Sequence, residues 1–252
     1  MANNMKYFIG NWKMFGVPKS IKIISKINSY IKKHKFNKKY KVIIAPPFTL
    51  LETFSKKFKN TKISISAQNC YQKDYFSSDT GSISPYMIKN LGTKFVIIGH
   101  SDNRDQGDTD KIIKKKINIA LKNNLKVIFC IGENKLQKQK RKTLAVLKKQ
   151  IQGSLERKIN KDNIVVAYEP IWSIGTGIVP NPNDLRKTVN YIKDEFRNIF
   201  KTKKTPPVLY GGSVDSQTIE IFLDISEIDG FLIGGASKSS KNFIDIIKNY
   251  YK

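Results

Sequence analysis

Eight short apolar runs, most of them β-branched, punctuate this chain at intervals that leave room for a helix after each. They are Tyr7-Phe8-Ile9, Val42-Ile43-Ile44-Ala45, Ile63-Ser64-Ile65-Ser66-Ala67, Phe95-Val96-Ile97-Ile98, Val127-Ile128-Phe129-Cys130, Ile164 to Tyr168, Val208-Leu209-Tyr210 and Phe231-Leu232-Ile233. Such runs are too short for helices, and their near-continuous apolar character is that of strands buried on both faces. Helical stripes lie between them: Ile21, Ile24, Ile27 and Ile31 form one, and Leu185, Val189, Ile192, Phe196 and Ile199 another, each backed by Lys and Asn. Ser84-Pro85, Asn183-Asp184 and Asp215-Ser216 supply start signals for helices carrying Ile88, Leu185, and Ile219 with Phe222. Eight strand–helix pairs in 252 residues predict a single α/β domain over 1–252, a closed parallel (β/α)8 barrel rather than an open doubly wound sheet.

Composition narrows the functional classes. The 46 Lys and Arg against 20 Asp and Glu give a net charge of +26, which invites a nucleic-acid or acidic-membrane reading. Only five of those cations are Arg, and the lysines are spread over nearly every polar segment, so no dedicated nucleic-acid surface is expected. No stretch has the apolar length of a membrane span, and the opening Met1-Ala2-Asn3-Asn4 lacks the basic head and apolar middle of a secretory signal, which predicts a cytoplasmic protein. The two cysteines, Cys70 and Cys130, have neither metal-site spacing nor histidine partners, so neither a metal nor a disulfide is expected.

The distinctive residues all follow strands. Asn11 and Lys13 come after the first run, Gln68-Asn69 after the third, His100 after the fourth, Glu133 after the fifth and Glu169 after the sixth. Gly211-Gly212-Ser213 and Gly234-Gly235 follow the seventh and eighth. In a barrel, the C-terminal strand ends share one rim, so these positions converge. Glu169 lies between the apolar strand and Pro170 and Trp172, where partial removal from water disfavours the carboxylate and makes it a stronger base. Gly175-Thr176-Gly177 behind it has the freedom of a moving tip. Ser101 and Asp102 mark a helix start beside His100, and the positive end of a helix favours a neutral ring able to donate to a carbonyl. His34, by contrast, sits in the basic run Lys32-Lys33-His34-Lys35 and is expected on the surface. Lys13 faces the rim beside Trp12, placed to neutralise a phosphate or an oxyanion. Paired glycines after the last two strands suit phosphate binding through backbone N–H groups. Base, electrophile, cation and anion anchor, without a nucleotide or metal motif, suit proton abstraction beside a carbonyl in a small sugar phosphate, with no cofactor.

Taken together, Gly10-Asn11-Trp12-Lys13-Met14, Ala67-Gln68-Asn69-Cys70, Ile98-Gly99-His100-Ser101, Cys130-Ile131-Gly132-Glu133, Tyr168-Glu169-Pro170, Trp172 with Ile174-Gly175-Thr176-Gly177, Tyr210-Gly211-Gly212-Ser213 and Gly234-Gly235-Ala236-Ser237 resemble the triosephosphate isomerase family. The resemblance runs from about Phe8 to Ala236. It implies a TIM barrel that interconverts dihydroxyacetone phosphate and D-glyceraldehyde 3-phosphate in glycolysis and gluconeogenesis, without cofactor. It further implies Glu169 as base, His100 as electrophile, and Asn11 and Lys13 as substrate ligands. Gly175, Ser213, Gly234 and Gly235 would hold the phosphate, with Asp102, Glu133 and Trp172 in support. A lid at Gly175-Thr176-Gly177 would close over the substrate and exclude water. The family is typically homodimeric, with the loop here spanning 71–84 reaching into the partner's site.

Some positions depart from the family pattern. Asp102-Asn103-Arg104 stands where Glu-Arg-Arg is usual, which predicts weaker support of Lys13 by a carboxylate one methylene shorter. Thr80-Gly81-Ser82 lacks the usual acid that pairs across the dimer with the Arg replaced by Asn103; losing both partners costs less than orphaning one charge. Pro180 in the far hinge of the lid restricts its backbone. Two rivals follow: an isomerase of the same mechanism acting on a tetrulose phosphate, and a catalytically weakened barrel that binds polyanions through its charge.

Overall fold

The computed structural model describes residues 5–34 and 39–252, so Met1-Ala2-Asn3-Asn4 and Lys35 of the basic run lie outside the described residues. Among these, the elements in chain order are β1 (Lys6–Asn11), α1 (Ile21–Lys33), β2 (Tyr40–Ala45), α2 (Phe48–Phe58), β3 (Ile63–Ala67), α3 (Pro85–Asn90), β4 (Phe95–Ile98), α4 (Ser101–Asp105), α5 (Asp110–Lys122), β5 (Lys126–Ile131), α6 (Lys135–Gln139), α7 (Thr143–Ser154), β6 (Ile164–Tyr168), α8 (Pro182–Phe200), β7 (Val208–Tyr210), β8 (Gly230–Ile233) and α9 (Ser240–Tyr250). The strands pair in sequence order, all parallel, and β8 closes on β1. The expected closed (β/α)8 barrel is the architecture found.

Alternation along each strand sorts the apolar residues into two cores. Ile9, Ile43, Phe95, Ile97, Ile128, Val165, Leu209 and Leu232 point inward and fill the barrel as one cluster. Their strand neighbours, including Phe8, Val42, Ile44, Val96, Val127, Phe129 and Val166, point outward and meet the helices. Both faces of most strands are therefore dry, which is why their runs read as continuous; β3, Ile63-Ser64-Ile65-Ser66-Ala67, is the one that alternates, with Ser66 buried and Ser64 partly exposed. The helix stripes complete the outer layer: Ile24, Ile27 and Ile31 of α1 and Leu185, Val189, Ile192 and Phe196 of α8 are buried, with Ile21 and Ile199 partly so. Truncating one of the inward isoleucines to Ala costs about 2–5 kcal/mol, because the packed interior collapses only partly into the gap.

Gly230 shows how the barrel closes. Its φ is +148°, and a Cβ there would lie 2.1 Å from the Tyr7 carbonyl oxygen, so only glycine lets β8 approach β1. Two local expectations shift. The helix after β6 begins at Pro182, with Asn181 rather than Asn183 as its cap; the Asn181 side chain accepts from the Asn183 N–H at 2.9 Å and Pro182 takes the first helical position, where no N–H is needed. After β7 the chain forms a 3-10 turn, Thr218–Phe222, in place of an α-helix. Asp215 accepts from the N–H groups of Gln217 and Thr218, and the buried pair Ile219 and Phe222 is three residues apart, the repeat of a 3-10 turn.

Candidate active site

At the C-terminal rim, a cavity of about 370 Å3 is lined by Asn11, Lys13, His100, Glu169, Gly175, Ser213, Gly234 and Gly235, among others. All the candidate catalytic and substrate-binding residues read from the sequence are therefore brought together. His34 is not: it ends α1, with Nδ1 3.0 Å from the Tyr30 carbonyl and its ring stacked on Tyr30.

Lys13 has a left-handed backbone, φ +53°, a conformation that costs a non-glycine residue about 1–2 kcal/mol. Its surroundings hold it there. Its N–H donates to Asn11 Oδ1 at 3.1 Å, and its carbonyl accepts from Gln68 Nε2 at 3.0 Å. The same Gln68 nitrogen donates to the Ala45 carbonyl at 2.8 Å, so the β1 loop is tied to β2 and β3. The ammonium lies 3.2 Å from Asp102 Oδ2. The shorter side chain of Asp102 thus still reaches, but at 33% and 53% side-chain exposure the pair is screened and contributes under about 1 kcal/mol.

His100 caps α4: the Asp102 N–H donates to its Nδ1 at 3.1 Å, which leaves the ring proton on Nε2. That nitrogen faces Glu169 Oε1 at 3.4 Å across the cavity floor. Arg104 fixes α4 beneath it by donating to the Gly99 carbonyl at 2.8 Å and to Asp110 Oδ1 at 2.7 Å.

Glu169 is 4% exposed, and its pKa is raised above the ordinary 4.5. Burial is the largest cause and outweighs the opposing pull of His100, a hydrogen bond with Cys130 and the Lys13 charge. The native state therefore binds this proton more tightly than the unfolded chain. Glu169 accordingly subtracts from stability as pH rises through the window that begins at 4.5. In ligand-free protein, 13C NMR of the Glu169 carboxyl is expected to give a midpoint above 4.5; a midpoint at or below that value would remove burial as the controlling influence.

The lid rests on a polar base. Glu133, fully buried, accepts from Trp172 Nε1 at 2.8 Å and from the Tyr168 hydroxyl at 3.2 Å. Burial beside Glu133 raises the Tyr168 pKa well above its ordinary value, so the phenol stays a donor. On the far side, the Gly177 N–H donates to Ser213 Oγ at 3.0 Å, and Ser213 Oγ donates to the Ser173 carbonyl at 2.6 Å. The lid is thereby joined to the loop after β7.

Three contributors escaped the sequence reading. Gln68 follows β3 at the rim, and its amide bridges two carbonyls that only the three-dimensional fold brings together. Cys130 hydrogen-bonds to Glu169. Strand parity held the signal, since Cys130 points into the barrel with Ile128 and pairs with Ala167, two residues before Glu169. Gly132 is the third: a Cβ there would lie 1.8 Å from the Glu169 carbonyl oxygen, so β5 approaches the base's backbone only because this residue has no side chain.

The family profile described as triosephosphate isomerase matches residues 6–250. The chain belongs to the triosephosphate isomerase family. It is 38% identical over 249 residues to a triosephosphate isomerase of Dictyoglomus thermophilum, covering 97% of this chain and 99% of that one. It is 35% identical over 245 residues to that of Thermodesulfovibrio yellowstonii, covering 96% and 98%. Its backbone is similar to the crystal structure of triosephosphate isomerase from Bartonella henselae, with a TM-score of 0.89, 31% identity and coverage of 98% and 99%. Membership in the triosephosphate isomerase family makes the rim cavity the place to look for a sugar phosphate. Among the described residues no helix is long and apolar enough to cross a membrane.

Proposed function

We propose that this chain interconverts dihydroxyacetone phosphate and D-glyceraldehyde 3-phosphate by proton transfer through an enediolate, without a cofactor. The observation that carries the reading is the meeting of Lys13, His100 and Glu169 on one cavity with the loops after β7 and β8. Gly175, Ser213, Gly234 and Gly235 hold the phosphate, and Asn11 and Lys13 orient the rest of the substrate. Glu169, made more basic by burial, takes a proton from the carbon beside the carbonyl. Lys13 and the Nε2–H of His100 stabilise the negative oxygen as it forms, and His100 then moves a proton between the two enediolate oxygens. Glu169 returns its proton to the neighbouring carbon. With the lid down water is excluded and the enediolate is protected from losing phosphate. Asp102 supports Lys13, and Glu133 supports the lid through Trp172.

Purified protein should isomerise glyceraldehyde 3-phosphate with kcat/KM of at least about 10^5 M⁻¹s⁻¹, in the ordinary enzyme range. A tetrulose phosphate assayed alongside is expected to be the poorer substrate; a clear preference for it would reassign the substrate while keeping the mechanism.

The reading extends to assembly and location. The whole chain acts as one domain in the cytoplasm, and two copies pair through the 71–84 loop. Tyr75 and Phe76 in that loop are 54% and 68% exposed, and Met14 beside the catalytic lysine is 98% exposed, apolar surface suited to burial by a second copy. Sedimentation velocity is expected to return a dimer, with Phe76→Asp shifting it towards monomer; an unshifted dimer would move the interface elsewhere.

A further inference from the structure

Away from the rim cavity, a second pocket opens between the turn joining α6 to α7 and the first turns of α8. It holds about 260 Å3, and its walls include Lys138, Arg141, Thr143, Asp184, Lys187 and Thr188. Three cations therefore face one carboxylate. Among the described residues the only ion pair in the pocket is Lys138 with Asp184, at 4.0 Å and with side chains 40% and 58% exposed, while Arg141 and Lys187 reach no carboxylate. Like charges gathered in this way repel one another unless an anion stands between them.

The backbone adds donors to the charge. Arg141 has φ +55°, a conformation that glycine adopts freely and an arginine does not. Its N–H donates to the Lys138 carbonyl at 2.9 Å and the Lys142 N–H to the Gln137 carbonyl at 2.9 Å, which sets Lys138 and Arg141 on one tight turn. Helix α7 starts directly after it, and no side chain caps that start. The N–H groups of Thr143 and Leu144, both on the pocket wall, are thus left for an outside acceptor. The other wall backs onto the base of the lid. Thr188 hydrogen-bonds to Tyr168, and the Lys138 ammonium lies 5.7 Å from the centre of the Trp172 ring.

We propose that this pocket is a second binding site, separate from the rim cavity, for a phosphate dianion, either free or at the end of a short ester. Arg141 presents paired N–H groups to two of its oxygens, Lys138 and Lys187 balance its charge, and the first N–H groups of α7 meet a third oxygen. The volume lies just below the range of about 300–1,000 Å3 found for drug-sized ligands, which suits a small ion or ester. Asp184 is exposed to water and opposes the anion only weakly. The anion shares Lys138 with Trp172, so its arrival draws the ammonium off the indole face and is felt at the lid. That consequence rests on the reading of residues 175–177 as a lid; the site itself does not.

The test is amide NMR on the full chain, with one equivalent of 2-phosphoglycolate added to occupy the rim cavity. Inorganic phosphate, glycerol 2-phosphate and chloride are then titrated at matched ionic strength. The Thr143 and Leu144 amides and the Trp172 indole are expected to move together, with one midpoint below about 10 mM, for phosphate or the ester and not for chloride. The tighter of the two phosphates tells whether the ligand is the free ion or an ester. Arg141→Gly suits the left-handed backbone and removes the guanidinium, and should weaken the midpoint about tenfold. Lys187→Gln should weaken it about threefold, and both variants should keep the wild-type kcat. Equal shifts with chloride would mean screening alone and overturn the proposal, as would a wild-type midpoint in Arg141→Gly. Amide shifts with a still indole would overturn the link to Trp172. Failure of 2-phosphoglycolate to bind would strike the functional reading, while the Thr143 and Leu144 amides would still judge this one.

Discussion

Replacing Glu169 by glutamine is expected to lower kcat about 10^3-fold, within the 10^2 to 10^4 that general base catalysis supplies. The substitution keeps the volume of the side chain and its place beside His100, 3.4 Å away in the native arrangement, but leaves no group able to take a proton from carbon. The site has made this carboxylate basic by burying it, so the loss includes that gain. Affinity for 2-phosphoglycolate should change far less, because the phosphate is assigned to the glycine loops and to Ser213 rather than to the carboxylate. Steady-state kinetics with glyceraldehyde 3-phosphate beside calorimetry on the same preparation would show the split. Full activity in the variant would take Glu169 out of its role and leave the burial without a catalytic meaning.

Lys13→Met should lower kcat/KM about 10^2- to 10^3-fold, the usual cost of removing a preorganised charge from a forming oxyanion. Methionine keeps most of the length and apolar stem of lysine, so the side chain's volume is retained while the charge is lost. Asp102 loses its partner, yet at 53% exposure water takes over, and thermal stability should barely move. The left-handed backbone at residue 13 is held by Asn11 and Gln68 through main-chain groups, so it survives the change. A variant with wild-type kcat/KM would mean that His100 alone carries the oxyanion.

The two variants separate what the paired residues do. Glu169 governs proton removal and should be felt in kcat alone, whereas Lys13 meets the substrate before and during reaction and should be felt in KM as well. The neighbourhood of each explains why neither can be moved freely. Gly132 admits the Glu169 backbone at a distance no side chain would permit, and Gln68 spans two carbonyls to seat Lys13.

The residue string determined the eight strands, because a strand packed between a filled barrel and a helix layer has little wet surface and is written mostly in Val, Ile, Leu and Phe. It also determined which side chains could meet, since parallel strands in a closed ring put every C-terminal end on one rim. That is why Asn11, Lys13, His100, Glu169 and the paired glycines are legible in the sequence. Tertiary structure alone decided the rest. Whether Asp102 reaches Lys13 and that Ser173 meets Tyr210 depend on contacts between residues 89 and 37 positions apart in the chain. A serine in a lid and a tyrosine at a strand tip have no local signature for one another, because a hydrogen bond of 2.8 Å is set by where two backbones have been packed and by nothing in the residues between them.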